Sequence, residues 1–167
     1  MPTDGEITYA DHVGRFYARR YGMAPMVGRL LGYLSVCDPP EQSIAELADA
    51  LLASRSAIAG AVATLETLRL IQRTRAAGER MDRVRVDLNS PNATGFDISE
   101  YQEQVELTEE GLDMLAGTPI ERRAILLEHH AFAKFLVERL PVMAQEWIEH
   151  REALRAAGEL PDDPMTR

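Results

Sequence analysis

Seven arginines and no lysine fall between residues 54 and 86 of this 167-residue chain (Arg55, Arg69, Arg73, Arg75, Arg80, Arg83 and Arg85), against three acids, Glu66, Glu79 and Asp82. A guanidinium keeps its charge at every physiological pH and meets a phosphate with two parallel N–H donors, so the cluster points to a polyanion. The segment carries +4 in a chain whose net charge is −9, which leaves −13 for the remainder. A basic patch on an anionic body favours a localised footprint on nucleic acid over general affinity for polyanions. The same arginines would also serve a solvated edge hairpin, where charge deters strand-to-strand aggregation.

Little else in the sequence has the spacing that chemistry requires. His129 and His130 are neighbours on a helical pattern and diverge by about 100°, poor geometry for a shared metal that the nearby Glu128 does not repair. They read as surface or interface residues. Cys37 is the single cysteine and has no disulfide partner; it reads as a small buried hydrophobe, with a redox sensor as the alternative if it were accessible and close to a cation. No nucleophile motif, phosphate-binding glycine loop or zinc spacing is present. The expectation is a protein that is not an enzyme, with no cofactor and no metal. Lacking a signal-peptide pattern and an apolar run long enough to cross a bilayer, it is expected in the reducing cytoplasm, away from membranes.

The elements around the arginines follow from periodicity. Tyr9, Val13, Phe16, Tyr17 and Tyr21 recur at helical steps over residues 8–21 and predict a first helix ended by Gly22. Pro25 opens a second, with Val27, Leu30, Leu31, Leu34 and Val36 as its apolar face, before Pro39-Pro40 forbids continuation. Ser43-Ile-Ala-Glu46 is a capping box ahead of a short helix lined by Ile44, Leu47, Ala48 and Leu51. After Ala53, Ser54 caps another helix, whose inner stripe is Ile58, Val62, Leu65 and Leu68. Two short helices across a tight turn make a helix-turn-helix. The period then becomes two: residues 70–75 and 83–88 predict strands around an Ala77-Gly78-Glu79 tip, a wing. A polar loop leads to a helix carrying Ile98, Tyr101, Val105, Leu112 and Leu115. A long helical pattern over residues 121–156 contains Pro141, which predicts a kink or break.

The predicted fold is therefore mainly α with a small β-hairpin, a winged helix-turn-helix domain plus a helical dimerisation region. Residues 1–24 form an N-terminal dimerisation helix, 25–90 the DNA-binding domain, 91–157 the C-terminal dimerisation helices and 158–167 a polar tail. A helix that reads DNA buries one side and offers the other to base edges, with small residues where its backbone approaches the groove. Ser54, Arg55, Ser56, Ala59, Gly60 and Ala63 meet that demand, with Arg55 and Ser56 placed for base or phosphate contacts. Arg73, Arg75, Arg80, Arg83 and Arg85 of the wing are expected on the DNA backbone. An Ala/Gly-rich face packed on a neighbouring helix is the alternative reading of the recognition helix. Phe16, Tyr17, Phe132, Phe135, Leu140 and Trp147 exceed what helices on one small domain need to bury, which suggests a homodimer; an intramolecular helical cap would use the same residues. A ligand pocket between the winged domain and the dimer helices would draw on Phe16, Arg20, Leu31, Tyr33, Tyr101, Met114 and Phe132, residues that core packing explains equally well.

Val27-Gly-Arg-Leu-Leu-Gly-Tyr-Leu34, Cys37-Asp-Pro-Pro40, Ser43-Ile-Ala-Glu-Leu-Ala48 and Gly78-Glu-Arg80 resemble the GbsR-like branch of the MarR regulators, from about residue 8 to residue 88. The resemblance implies a triangular homodimer with interleaved terminal helices, a double-stranded operator as partner, and a small apolar or aromatic inducer that releases the DNA. Two half-sites about 10 base pairs apart suit such a dimer. Met81 departs from the family's wing pattern, where a second arginine is usual, and Arg69 stands where a glycine often ends the recognition helix in a left-handed conformation. The functional expectation is a sequence-specific repressor. A winged-helix protein-interaction module and a redox regulator using Cys37 are the alternatives.

Overall fold

A computed structural model of the chain describes residues 1–75 and 81–161. The wing tip, with Arg80, and the end of the polar tail lie outside the described residues. The chain divides into two compact units, Met1–Ala93 and Thr94–Arg167.

In the first unit α1 (Asp4–Tyr21) starts four residues before the apolar periodicity. Thr3 accepts from the Glu6 N–H while the Glu6 carboxylate accepts from the Thr3 N–H, a capping box that adds a turn. α2 (Pro25–Leu34) ends at Ser35, before Pro39-Pro40 is reached, and is buried on nearly all sides. β1 (Gln42–Ser43) and α3 (Ile44–Ala50) follow, with Ser43 and Glu46 closing the second capping box. α4 (Arg55–Thr67) is capped by Ser54, whose Oγ accepts from the Ala57 N–H at 3.1 Å, and it lies at 114° to α3. β2 (Ile71–Thr74) and β3 (Arg83–Val86) complete the wing.

The sheet has three antiparallel strands in the order β1-β3-β2, one more than the predicted hairpin. Two residues are too few to show alternation, which is why β1 escapes a pattern-based reading. Leu30, Leu47, Leu51, Ile58, Leu65 and Val84 are fully buried at the centre of this unit. Each contributes about 1.5–3 kcal/mol by leaving water.

Both ends of the helix-turn-helix helices close in the same way. Leu70 N–H reaches Leu65 O and Arg69 N–H reaches Glu66 O, both at 2.9 Å, with Arg69 at φ 53°. Ala53 N–H reaches Ala48 O at 2.9 Å, with Leu52 at φ 49°. These are Schellman closures that ordinarily use glycine. α4 therefore takes the left-handed ending that the resemblance implies for a glycine, although an arginine occupies the position. A side chain there costs about 1–2 kcal/mol, partly offset by glycine's greater freedom in the unfolded chain. Leu52 is also 94% exposed, so no packing would be lost on removing its side chain. Leu52→Gly and Arg69→Gly are each expected to raise stability by about 0.5 kcal/mol; a lower urea midpoint in either variant would contradict the strain argument.

After the short turn α5 (Pro91–Thr94), the second unit is a helical pair, α6 (Ser99–Met114) and α7 (Ile120–Ala156). α7 runs unbroken through Pro141. A proline forfeits the bond its own N–H would give and crowds the carbonyl one turn back, but the flanking turns carry the helix across. Between α6 and α7 the Thr108 hydroxyl lies within hydrogen-bond reach of the Gln104 and Val105 carbonyls and 3.0 Å from His130 Nδ1, while His129 Nε2 meets Gln104 Oε1 at 3.2 Å. The two histidines thus tie the helices together, and no group of three metal-ligating residues occurs among the described residues. No single helix among them is long and apolar enough to cross a membrane.

Candidate nucleic-acid interface

α4 separates cleanly into two faces. Ile58, Ala61, Val62 and Leu65 are buried, whereas Arg55, Ser56, Ala57, Gly60, Ala63, Thr64 and Thr67 are exposed. These exposed positions step along one side of the helix. Of the residues expected on it, Ala59 sits at the margin, half-buried. Thr67 lies on it too, as its spacing opposite Ile58, Val62 and Leu65 implies, and Ala57 and Thr64 join the face, which periodicity read for its apolar members alone passes over. A Cβ built on Gly60 meets nothing within 4 Å, so the face is open there.

Arg55 makes no ion pair or side-chain hydrogen bond among the described residues, and no acid occupies the first turn of α4. A free guanidinium thus stands at the positive end of the helix dipole, a combination suited to an anion. Ser56 Oγ lies 3.0 Å from Ser54 Oγ. Thr64 and Thr67 spend their hydroxyl protons on the carbonyls of Gly60 and Ala63, at 3.1 and 3.0 Å. What these threonines offer outward is a methyl group and an accepting oxygen, which narrows the side-chain hydrogen-bond donors at this face to Arg55 and one hydroxyl of the Ser54–Ser56 pair.

The wing arginines within the described residues are engaged by acids of the chain itself. Arg73 grips Glu66 of α4 with two bonds, Nε–Oε1 at 2.5 Å and Nη2–Oε2 at 3.0 Å, and the bond to Glu66 makes the guanidinium hold its proton more tightly than usual. Arg75 bonds Asp82 at 2.6 Å. Arg83 bonds Glu46 Oε2 at 2.9 Å and the Glu41 carbonyl at 3.2 Å, and Arg85 bonds Glu41 Oε1 at 2.9 Å. The strand period also divides them. Arg73 pairs in register with Val84 and shares its face, whereas Arg83 and Arg85 alternate with Val84 and Val86 onto the other face. Four arginines that look like one patch in sequence are two sets of internal ion pairs, with their acids (Glu41, Glu46, Glu66 and Asp82) supplied from outside the run or from its few negative residues.

The residues expected in a ligand pocket fall in both units. Phe16 and Leu31 line a cleft of about 360 Å³ together with Tyr9, His12, Val13, Tyr17 and Ser35. Tyr33 lines another, with Glu6, Pro39 and Gln42 among its neighbours. Arg20 is exposed on α1 and lines neither of these clefts. Tyr101, Met114 and Phe132 belong to the second unit, where Met114 and Phe132 are exposed.

Cys37 is buried, its thiol 3.8 Å from the Leu34 carbonyl, and burial pushes its pKa up to about 11. At neutral pH roughly one thiol in ten thousand is then the reactive thiolate. Cys37 is expected to resist Ellman's reagent in the folded protein and to react once urea unfolds it; rapid labelling of the native chain would restore the redox reading.

Comparison with known proteins agrees with this architecture. The MarR family model matches residues 21–80, and a model described as MmpR5-like MarR family transcriptional regulator matches residues 96–159. The HTH-type transcriptional regulator MmpR5 of Mycobacterium tuberculosis is 34% identical over 121 residues, which is 72% of this chain and 73% of that protein. A crystal structure titled only as a transcriptional regulator superposes with a TM-score of 0.78 at 28% identity, covering 87% of this chain and 99% of its own. With the winged helix-turn-helix on the page and a relative of that identity and coverage, the chain belongs to the MarR family of transcriptional regulators, which bind DNA.

Proposed function

We propose that the chain is a homodimeric repressor that places α4 in the major groove of an operator, with Arg55 and Ser56 at its leading end, and is released by a small apolar or aromatic ligand. The observation that carries the reading is the outer face of α4: small, exposed, open at Gly60 and headed by an arginine with no side-chain partner among the described residues. A face packed on a neighbouring helix would be covered. The homodimer is supported by large apolar side chains left exposed on the terminal helices, Tyr9 and Phe16 on α1 and Ile125, Phe132 and Phe135 on α7, since obligate interfaces resemble a core cut in two. The ligand is supported by the aromatic cleft of about 360 Å³ beside α1, within the size range of small-molecule sites. Within the family, residues 27–34 and 37–40 favour the GbsR-like branch, while the model matched at residues 96–159 is the MmpR5-like one.

The test is selection of bound duplexes from a random-sequence pool by the full chain, followed by binding at two salt concentrations. The expected result is a two-fold consensus whose affinity falls steeply with salt, because each phosphate neutralised releases a counterion. With methyl groups dominating the outer face of α4, replacing consensus thymines by uracil is expected to weaken binding, as methyls on the protein contact the thymine methyl. Recovery of random sequences only would favour the protein-interaction module instead.

A further inference from the structure

The acid at the root of the wing is not explained by DNA binding as such. Glu41 immediately precedes β1, and the β1–β3 register, Gln42 opposite Val84 and Ser43 opposite Arg83, sets Glu41 across from Arg85. Its carboxylate accepts from Arg85 Nη1 at 2.9 Å and from Thr74 Oγ1 at 3.0 Å, so it spans from the edge strand to β2 over the outer face of the sheet. Its carbonyl accepts from Arg83 Nη1, which also bonds Glu46. Glu46 in turn closes the capping box at the start of α3. One residue therefore connects both wing strands to the first helix of the helix-turn-helix. On the opposite face Arg73 and Glu66 connect β2 to α4.

We propose that Glu41 is a positioning residue for DNA binding: by holding Arg85 and Thr74 it fixes the wing's direction relative to α3 and α4, without touching DNA itself. Arg85 and Arg83 then serve the protein and not the phosphates. The guanidinium most open to the backbone on the described part of the wing is Arg75, just past the end of β2, paired with Asp82 yet 61% exposed in its side chain. The ion pairs are half-buried, where geometry held at both ends counts for more than in exposed pairs. The inference rests on the DNA-binding reading above.

The test uses the full-length protein and the duplex recovered by selection. Glu41→Ala is expected to weaken binding about tenfold and to lower the slope of log Kd against log salt by about one, as the wing's phosphate contact is lost. Glu41→Gln, which still accepts from Arg85 and Thr74, is expected to recover most of the affinity. In an Arg75→Ala background, Glu41→Ala should add nearly nothing, because both act through the same contact. Thermal unfolding of each variant within a few degrees of the parent separates aiming from loss of fold. Tighter binding with a steeper slope in Glu41→Ala would mean that Glu41 masks Arg85 from phosphate and would overturn the proposal, as would binding unchanged from the parent. A parent that fails to prefer the selected duplex would overturn the DNA-binding reading and this inference together.

Discussion

Arg55→Ala is expected to weaken specific DNA binding by roughly ten- to a hundredfold, the cost of about 1–3 kcal/mol for losing one bidentate contact to a base or its backbone. The effect should be large because the outer face of α4 has few other donors. Thr64 and Thr67 bond their own helix, and the alanines and Gly60 offer none. Arg55 is also free to act, being exposed and engaged by no side chain among the described residues. Its removal should leave stability unchanged, since it supports nothing in the fold. Fluorescence anisotropy at several salt concentrations tells the two modes of contact apart. A lower salt slope with sequence preference retained identifies a phosphate contact; an unchanged slope with relaxed preference at one base pair identifies a base contact. Arg55→Ala binding like the parent would remove the recognition helix from the interface.

Arg73→Ala is the instructive contrast. Arg73 is as basic as Arg55 and as close to the wing as sequence can place it, yet its guanidinium is spent on Glu66. Composition counts the charges of a segment; it does not say which are neutralised by acids brought in from elsewhere. Glu41 and Glu46 lie more than 35 residues before Arg83 and Arg85 and reach them only because β1 pairs with β3, and β1 is too short to be seen as a strand. The helices were legible for the opposite reason. Each capping box and each apolar stripe is a local pattern, and Ser43, Ser54, Ile58, Val62 and Leu65 take the places their spacing dictates. Thr3-Asp-Gly-Glu6 carries the same capping signal and extends α1 ahead of its apolar stripe. The left-handed end at Arg69 shows the reverse case: the local residue disfavours the conformation, and the closure with Leu65 and Glu66 imposes it.

Glycines were the least legible positions, because an apolar stripe is defined by side chains they lack. One substitution at two of them should have opposite effects. In α2, a Cβ on Gly32 would lie 2.7 Å from Val13 Cβ and 3.0 Å from Ala10 Cα, and one on Gly28 would lie 3.0 Å from Gly14 Cα and 3.1 Å from the Val13 carbonyl. Backbone atoms cannot step aside as a flexible side chain can. α1 and α2 touch through Gly14, Gly28 and Gly32, and Gly32→Ala must push the helices apart. The expected loss is about 1–3 kcal/mol, read as a lower urea midpoint. Gly60 in α4 has nothing within 4 Å of the same atom, so Gly60→Ala should gain about 1 kcal/mol from helix propensity alone. A protein that forgoes that gain in the middle of its recognition helix is using the missing methyl for something outside its own fold. Gly60→Ala should accordingly fold more stably and bind the selected duplex more weakly, because the helix backbone can no longer approach the groove as closely. Equal affinity in the stabilised variant would show that DNA does not come close to α4 at Gly60, and would move the contact toward Arg55 and the N-terminal turn.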